Sequence, residues 1–370
     1  MPTDSETTAT IAAAAVVNER ARALSPGTVA ALRGTGIFSA LIPAELGGGE
    51  VEPAELITTI EEIAVADGSA GWCAAIGATA GLVAAYLPSG VAGRLFGAPP
   101  AIAAGIFAPR GKLVPAGGDH GLLGLSGRWP LGSGISHAEV VGLGCIHPEQ
   151  GSLYAVVPRE QVEVIETWDS LGLRATASHD VAVTDITVPA DQVVDLAGSA
   201  PVAPGPLYSF PLFGLLALSV SAVCTGVAAG ALADVREAAV ARRPAGSSRS
   251  LADRGTTQEA IASAEASLRA ARAGVSAAVA EAWAVAEGGN PLEIEQRLGL
   301  RLAATHAART AVDVVDLTHR LSGAGGLYTG TIERRFRDVH TAAQHMIVAP
   351  ATFELAGRII LGLEPDSPQL

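Results

Sequence analysis

The sequence predicts an α+β fold, mostly α, in three parts. These are an N-terminal helical domain over residues 1–100, a central antiparallel β-barrel or sheet domain over 101–200, and a C-terminal four-helix bundle over 201–370. Three observations carry this. The first hundred residues follow a helical period and are rich in alanine. From about Ala101 the pattern changes to short, partly β-branched runs bounded by Gly, Pro or Asp. After the proline-rich stretch 201–211 the helical period returns and holds to the end.

Taken in order, residues 10–33 predict a first helix that ends before Gly34. Stretches 52–66 and 69–86 predict two more, punctuated by Asp67-Gly68, with Ser69 as the N-cap. Between them, 36–49 is a short helix or turn entering a glycine-rich loop. Strands are expected over 101–107, 112–116, 120–127, 140–147, 153–158, 162–167 and 180–188, the last alternating most clearly. Long helices are expected over 211–242, 256–287, 291–322 and 331–361, and their up-down order implies a bundle. Gly288-Gly289-Asn290-Pro291 marks a stop and restart between the second and third of them.

Composition removes several classes of function. With 49% hydrophobic and 16% charged residues the chain is ordered and globular. A net charge of −13 without a Lys/Arg run argues against nucleic acid. Cys73, Cys145 and Cys224 are far apart and form neither a metal-type pair nor a disulfide framework. His340 and His345 are five residues apart, so a helix points them in different directions and a metal site is not expected. The N-terminus lacks a basic region followed by a long apolar run, so no signal peptide is expected and a reduced cytoplasmic setting is the default. Residues 212–233 are long and apolar enough to span a bilayer. Their Ala, Gly and Ser content, and the charged residues that follow directly, favour a buried bundle helix.

One stretch concentrates ionisable residues. Gly323-Ala-Gly-Gly326 is followed by a segment carrying Arg334, Arg335, Arg337, Asp338, His340 and His345. On a continuous helix Asp338 and His345, seven residues apart, share a face, and Asp338 is expected to orient or charge the imidazole. Arg334 and Arg337 are expected either to meet an anion or to pair with Glu333 and Asp338. No Walker loop is present, and the glycine turn lies between helices, so it is not a dinucleotide fingerprint.

The joints of the chain resemble the acyl-CoA dehydrogenase fold superfamily over nearly its whole length. GIFSALIPAELGGG (36–49) resembles an early motif, LGLRATASHD (171–180) the end of the β-domain, and LSGAGG (321–326) with Arg335-Phe336-Arg337-Asp338 the last-helix motif. Dehydrogenases of this superfamily need a glutamate base. One of its two placements falls on Met346, and the other lies in residues 196–233, which hold no acid. GRWPLGSGISHA (127–138) and RDVHTAAQH (337–345) instead resemble the reduced-flavin-dependent, two-component monooxygenases. That resemblance implies reduced FAD or FMN, supplied by a separate NAD(P)H flavin reductase, with O2 as co-substrate. It further implies an apolar pocket shielding a C4a-hydroperoxide while a small organic molecule is hydroxylated or N-oxygenated, in a homodimer or homotetramer. A dehydrogenase with a relocated base, or a catalytically silent subunit of the same fold, are the alternatives.

The same resemblance assigns roles. His345, whose imidazole is of a type that ordinarily titrates near neutrality, is the expected catalytic residue, taking a substrate proton or hydrogen-bonding the oxygen species, with Asp338 behind it. Ser133 and Ser136, in a glycine-rich turn, are expected to hydrogen-bond the flavin or the oxygen species. Trp129 is expected to pack on the isoalloxazine, and His137 to position the loop. Arg174, Thr176 and Ser178 are expected at the flavin ribityl or phosphate, arginine being suited to bidentate phosphate contact. Arg249 and Gln258 are expected at a neighbouring subunit's dinucleotide, and Trp72 and Met346 at the substrate pocket. Some members carry a further histidine in the helix corresponding to 69–86, where this chain offers Trp72, Cys73, Thr79 and Tyr86.

Overall fold

A computed structural model describes residues 3–97, 99–116, 121–243 and 247–364. The N-terminal part holds helices α1 (Ser5–Ala21), α2 (Pro26–Gly34), α3 (Pro53–Ala66), α4 (Gly68–Gly81) and α5 (Ser89–Phe96). The single helix expected over 10–33 is two. Arg22 turns left-handed at φ 55°, and Ser25 caps a new helix that has Pro26 in its first turn. Asp67, not Ser69, caps α4: its Oδ1 accepts from Ala70 N at 2.8 Å. The last turn of that expected helix tightens to a 3₁₀ segment, Leu82–Tyr86.

The central part is one seven-stranded sheet: β1 (Ala103–Pro115), β2 (Leu122–Gly132), β3 (Val140–His147), β4 (Gly151–Pro158), β5 (Glu163–Ile165), β6 (His179–Pro189) and β7 (Val193–Val194). The strand order is β5-β6-β2-β1-β3-β4-β7. All neighbours are antiparallel except β1 and β3, which pair in parallel, so the sheet is mixed rather than wholly antiparallel. The two strands expected over 101–107 and 112–116 are one strand, interrupted by a register shift between Ile106 and Gly111. Residue 120, the expected start of the next strand, lies outside the described residues.

After the short helix α6 (Pro206–Ser209) come α7 (Leu212–Ala241), α8 (Gly255–Glu287) and α9 (Ile294–Ser322). The fourth expected bundle helix is broken. It runs as α10 (Thr331–Ala342), a 3₁₀ turn Met346–Val348, and α11 (Ala351–Ile360). His345 leaves the helix at φ −62°, ψ 129° and caps the turn with its own ring, while Pro350 has no N–H to continue a ladder. Asp338 and His345 therefore do not share one helical face.

One buried cluster joins α1, α3 and α4 to α7, α8 and α9. The stretch apolar enough for a bilayer, Leu212–Ala241, is the centre of this cluster, and 83% of its most apolar window is buried by other helices. Gly68–Tyr86 passes the same test and its window is wholly buried. Both read as core helices, because their apolar faces meet α3, α7, α9 and the sheet rather than the outside. Close approach requires small residues: a methyl on Gly71 would meet Ala64 Cβ at 2.6 Å, and one on Gly226 would meet the Glu61 carbonyl at 2.5 Å.

Candidate active site

The antiparallel ladder of β2 and β6 sets Gly132 opposite His179, so the next residues off each strand, Ser133 and Ser178, come together. Their Oγ atoms are 2.8 Å apart although 45 residues separate them. Ser178 Oγ lies 2.7 Å from Thr176 Oγ1, and Thr176 Oγ1 donates to Leu173 O at 2.9 Å. At the other end Trp72, carried by α4, donates from Nε1 to Ser133 Oγ at 3.0 Å. The result is a buried row running Trp72, Ser133, Ser178, Thr176. The end of β2 and the loop 170–178 hold non-glycine residues in the left-handed region: Leu131 at φ 65°, Leu173 at 50° and Ala177 at 46°.

With Thr176 donating to Leu173 O, the order of donation is fixed: Ser133 donates to Ser178, and Ser178 to Thr176. Each serine hydroxyl also accepts one hydrogen bond, Ser133 from Trp72 Nε1 and Ser178 from Ser133, so each keeps one lone pair for a donor on a bound group.

His345 closes the site. Its ring packs edge-on against Trp72 with centroids 5.6 Å apart. Burial pushes its pKa down to about 4, so the ring is neutral at physiological pH. Nδ1 accepts from Ile347 N at 3.3 Å, which puts the proton of the neutral tautomer on Nε2. The arrangement favours a hydrogen-bond donor over a base. Arg301, buried on α9, donates to Ile347 O at 3.0 Å and Thr352 Oγ1 at 3.3 Å, fixing the turn that His345 begins. Nothing in the local sequence of Arg301 signalled this contact.

Other expected residues lie elsewhere. Trp129 is fully buried in the sheet core and donates from Nε1 to Gly144 O at 2.6 Å. Its ring crosses β1 so closely that a methyl on Gly111 would collide with it, so it has no face for a flavin. Ser136 is exposed, whereas Ser133 is buried. Burial, with the Arg33 charge, pushes His137 down to about 4, and its ring rests on Phe38 at 5.7 Å, which suits a loop-positioning role. Arg174 donates to Ser170 O and pairs with Asp169 at 3.2 Å, and is tied to its own loop. Met346, the residue after His345, is 65% exposed.

The arginines of α10 are paired internally. Arg335 meets Asp234 of α7 at 2.6 Å, and Arg337 meets Glu19 at 2.6 Å and also Glu333. Asp338 does not touch His345. Its Oδ1 accepts from Leu173 N at 2.6 Å, and burial, with the neighbouring Asp67 charge, raises its pKa to about 7. A left-handed non-glycine residue costs about 1–2 kcal/mol. A hydrogen bond contributes about 0.5–1.5 kcal/mol, and leaving the buried Leu173 N–H unpaired would cost about 1–3 kcal/mol, enough to hold Leu173 in that conformation. Arg249 and Gln258 lie together at the start of α8, bonded to Asp253 O and Ala252 O. Gln258 lines a cleft of about 490 Å³ with Arg236, Glu265 and Arg269, none of which belongs to the hydroxyl row.

Known proteins share this fold. Residues 218–350 match the family model described as acyl-CoA dehydrogenase, C-terminal domain. An indole-3-acetate monooxygenase of Pseudomonas putida is 35% identical over 94% of this chain and 90% of its own length. The chain belongs to the acyl-CoA dehydrogenase fold superfamily, in its flavin-dependent monooxygenase branch. A 3-HSA hydroxylase from Rhodococcus sp. RHA1 superposes with a TM-score of 0.92 at 26% identity, covering 99% of this chain and 97% of that one. XiaF from Streptomyces sp., solved in complex with FADH2 and glycerol, superposes with a TM-score of 0.91 at 26% identity, covering 99% and 95%. This monooxygenase is thus an enzyme that works with reduced flavin. Its buried hydroxyl row fits that group: uncharged, enclosed, and able to accept a hydrogen bond from an N–H at a ring edge.

Proposed function

We propose that this protein is the oxygenase half of a two-component system and oxygenates a small aromatic molecule of the indole or phenol type. The observation that carries this is the row Trp72, Ser133, Ser178, Thr176 ending beside neutral His345. Ser133, Ser178 and Thr176 would hold the edge of a reduced flavin, FAD being favoured by the FADH2 of the XiaF structure. The flavin, when bound, supplies two electrons and activates O2, one oxygen atom entering the substrate and the other leaving as water. Trp72 and His345 form an aromatic wall against which a flat substrate can stack, with Met346 at the entrance. His345 Nε2–H would donate to a substrate or oxygen atom, and the apolar α4 behind Trp72 excludes water.

The row contains no carboxylate, which leaves a dehydrogenase without its base. A separate NAD(P)H-dependent flavin reductase would deliver the reduced flavin. Arg174 would lie toward its phosphates, after exchanging Asp169 for them. Assembly into a homodimer or homotetramer, with Arg249 and Gln258 at a neighbour's dinucleotide, and a cytoplasmic location belong to the same reading. In support, Leu327, Tyr328, Ile360 and Leu361 present exposed apolar side chains.

The test is anaerobic loading with chemically reduced FAD or FMN, then isotopically labelled O2, against a panel of indole acids and phenols. Label in an aromatic product is expected. Flavin reoxidation yielding only hydrogen peroxide across the panel rejects the substrate class, and failure to bind either reduced flavin rejects the cofactor reading.

A further inference from the structure

Two carboxylates lie buried behind the hydroxyl row. Asp67 joins α3 to α4: its N–H caps α3 at Ile63 O and its Oδ1 caps α4 at Ala70 N. Asp338 on α10 is 2% exposed and accepts from Leu173 N. Arg334 Nε stands 4.0 Å from Asp67 Oδ2. The packing leaves no slack. A methyl on Gly68 would lie 3.0 Å from Asp338 Oδ2, and one on Gly172 would collide with the Arg337 carbonyl. Three elements thus meet on one acid pair: the start of α4, the loop 170–178, and α10.

From each acid a line of support runs to one end of the row. Asp67 fixes the helix that carries Trp72. Asp338 fixes Leu173, whose carbonyl takes the Thr176 hydroxyl, and Thr176 contacts Ser178. Leu173 and Ala177 occupy left-handed backbone that only surrounding contacts sustain.

Building on the flavin reading above, we infer that Asp338 is a positioning residue: by accepting the Leu173 amide, it holds the loop 173–178 so that Thr176 and Ser178 face the flavin. Its acceptor oxygen performs this role and its negative charge does not.

Hydrogen exchange of the flavin-free protein, together with anaerobic titration with reduced FAD and reduced FMN, tests this. Asp338→Ala should speed exchange across 168–179 about tenfold and weaken flavin binding about tenfold. Asp338→Asn, which keeps an acceptor oxygen, should leave flavin affinity within about threefold of the parent and exchange across 168–179 no faster than in the parent. Wild-type exchange in the alanine variant overturns the inference, as does an asparagine variant as loose as alanine. Should Asp338→Ala fail to fold, Thr176→Val cuts the same support one bond further along. It should loosen the Ser178 amide and weaken flavin binding, and unchanged behaviour there overturns the inference equally. If the parent protein binds no reduced flavin, the flavin reading fails while the exchange data still judge the anchor.

Discussion

Replacing Asp338 by asparagine should stabilise the protein, and increasingly so as pH rises. Burial first, and the Asp67 charge second, raise the Asp338 pKa from 3.8 to about 7. The folded state therefore holds this proton more tightly than the unfolded chain. The stability that this contributes is fully present below about pH 4 and is lost as pH climbs toward about 7. Each pH unit between those two values corresponds to about 1.4 kcal/mol, so the folded protein gives up about 3 kcal/mol between about pH 5 and about pH 8 through this group. Asparagine matches the protonated acid in shape and cannot ionise. Urea unfolding followed by tryptophan fluorescence at both pH values, on parent and variant, reads this contribution together with its coupling to Asp67. The stability difference should grow by about 3 kcal/mol in favour of asparagine across that interval. A difference that does not change with pH would refute the reasoning, because Asp338 would then ionise alike in both states.

Three further outcomes follow from the site. His345→Ala should lower product formation by about a hundredfold or more, the scale of a lost proton-handling group, with reduced-flavin affinity retained; an unchanged rate removes His345 from the mechanism. Trp72→Phe keeps the ring contact with His345 but deletes the donor to Ser133. It should cost about 1 kcal/mol in urea unfolding and weaken flavin binding, and wild-type values in both would separate the indole N–H from the row. Gly172→Ala forces a methyl against the Arg337 carbonyl. It should destabilise by about 1–3 kcal/mol, read from the urea midpoint, and a neutral result would mean that the loop and α10 separate freely.

The order helix, sheet, helix was legible because the period of the hydrophobic pattern changes where the architecture changes. Boundaries failed where a side chain or a proline, rather than the period, decides. Ser25-Pro26 starts a new helix inside an alanine-rich stretch, and Asp67 outcompetes Ser69 as a cap because its carboxylate reaches Ala70 N. Trp129 was legible as a special residue, but for the wrong partner. The family resemblance placed it against the flavin, whereas Gly111 and Gly127 are small because the indole itself lies against them.

The site was legible as a set of residues and not as an arrangement. Ser133 and Ser178 each sit in a recognisable loop, yet only the register of β2 with β6 makes them neighbours, and only the docking of α4 on the sheet brings Trp72 to their end. Helical spacing paired Asp338 with His345, an inference valid only on an unbroken helix. The break after Ala342 separates them and gives each a different task. His345 turns toward Trp72 with a neutral ring whose Nδ1 is occupied, so it no longer needs a carboxylate behind it. Asp338, released from that role, takes a backbone amide 165 residues away. A carboxylate orienting the imidazole would raise the histidine's pKa, whereas burial alone lowers it here. The two residues therefore act through different partners: His345 at the wall of the pocket, Asp338 through the loop that carries the hydroxyls.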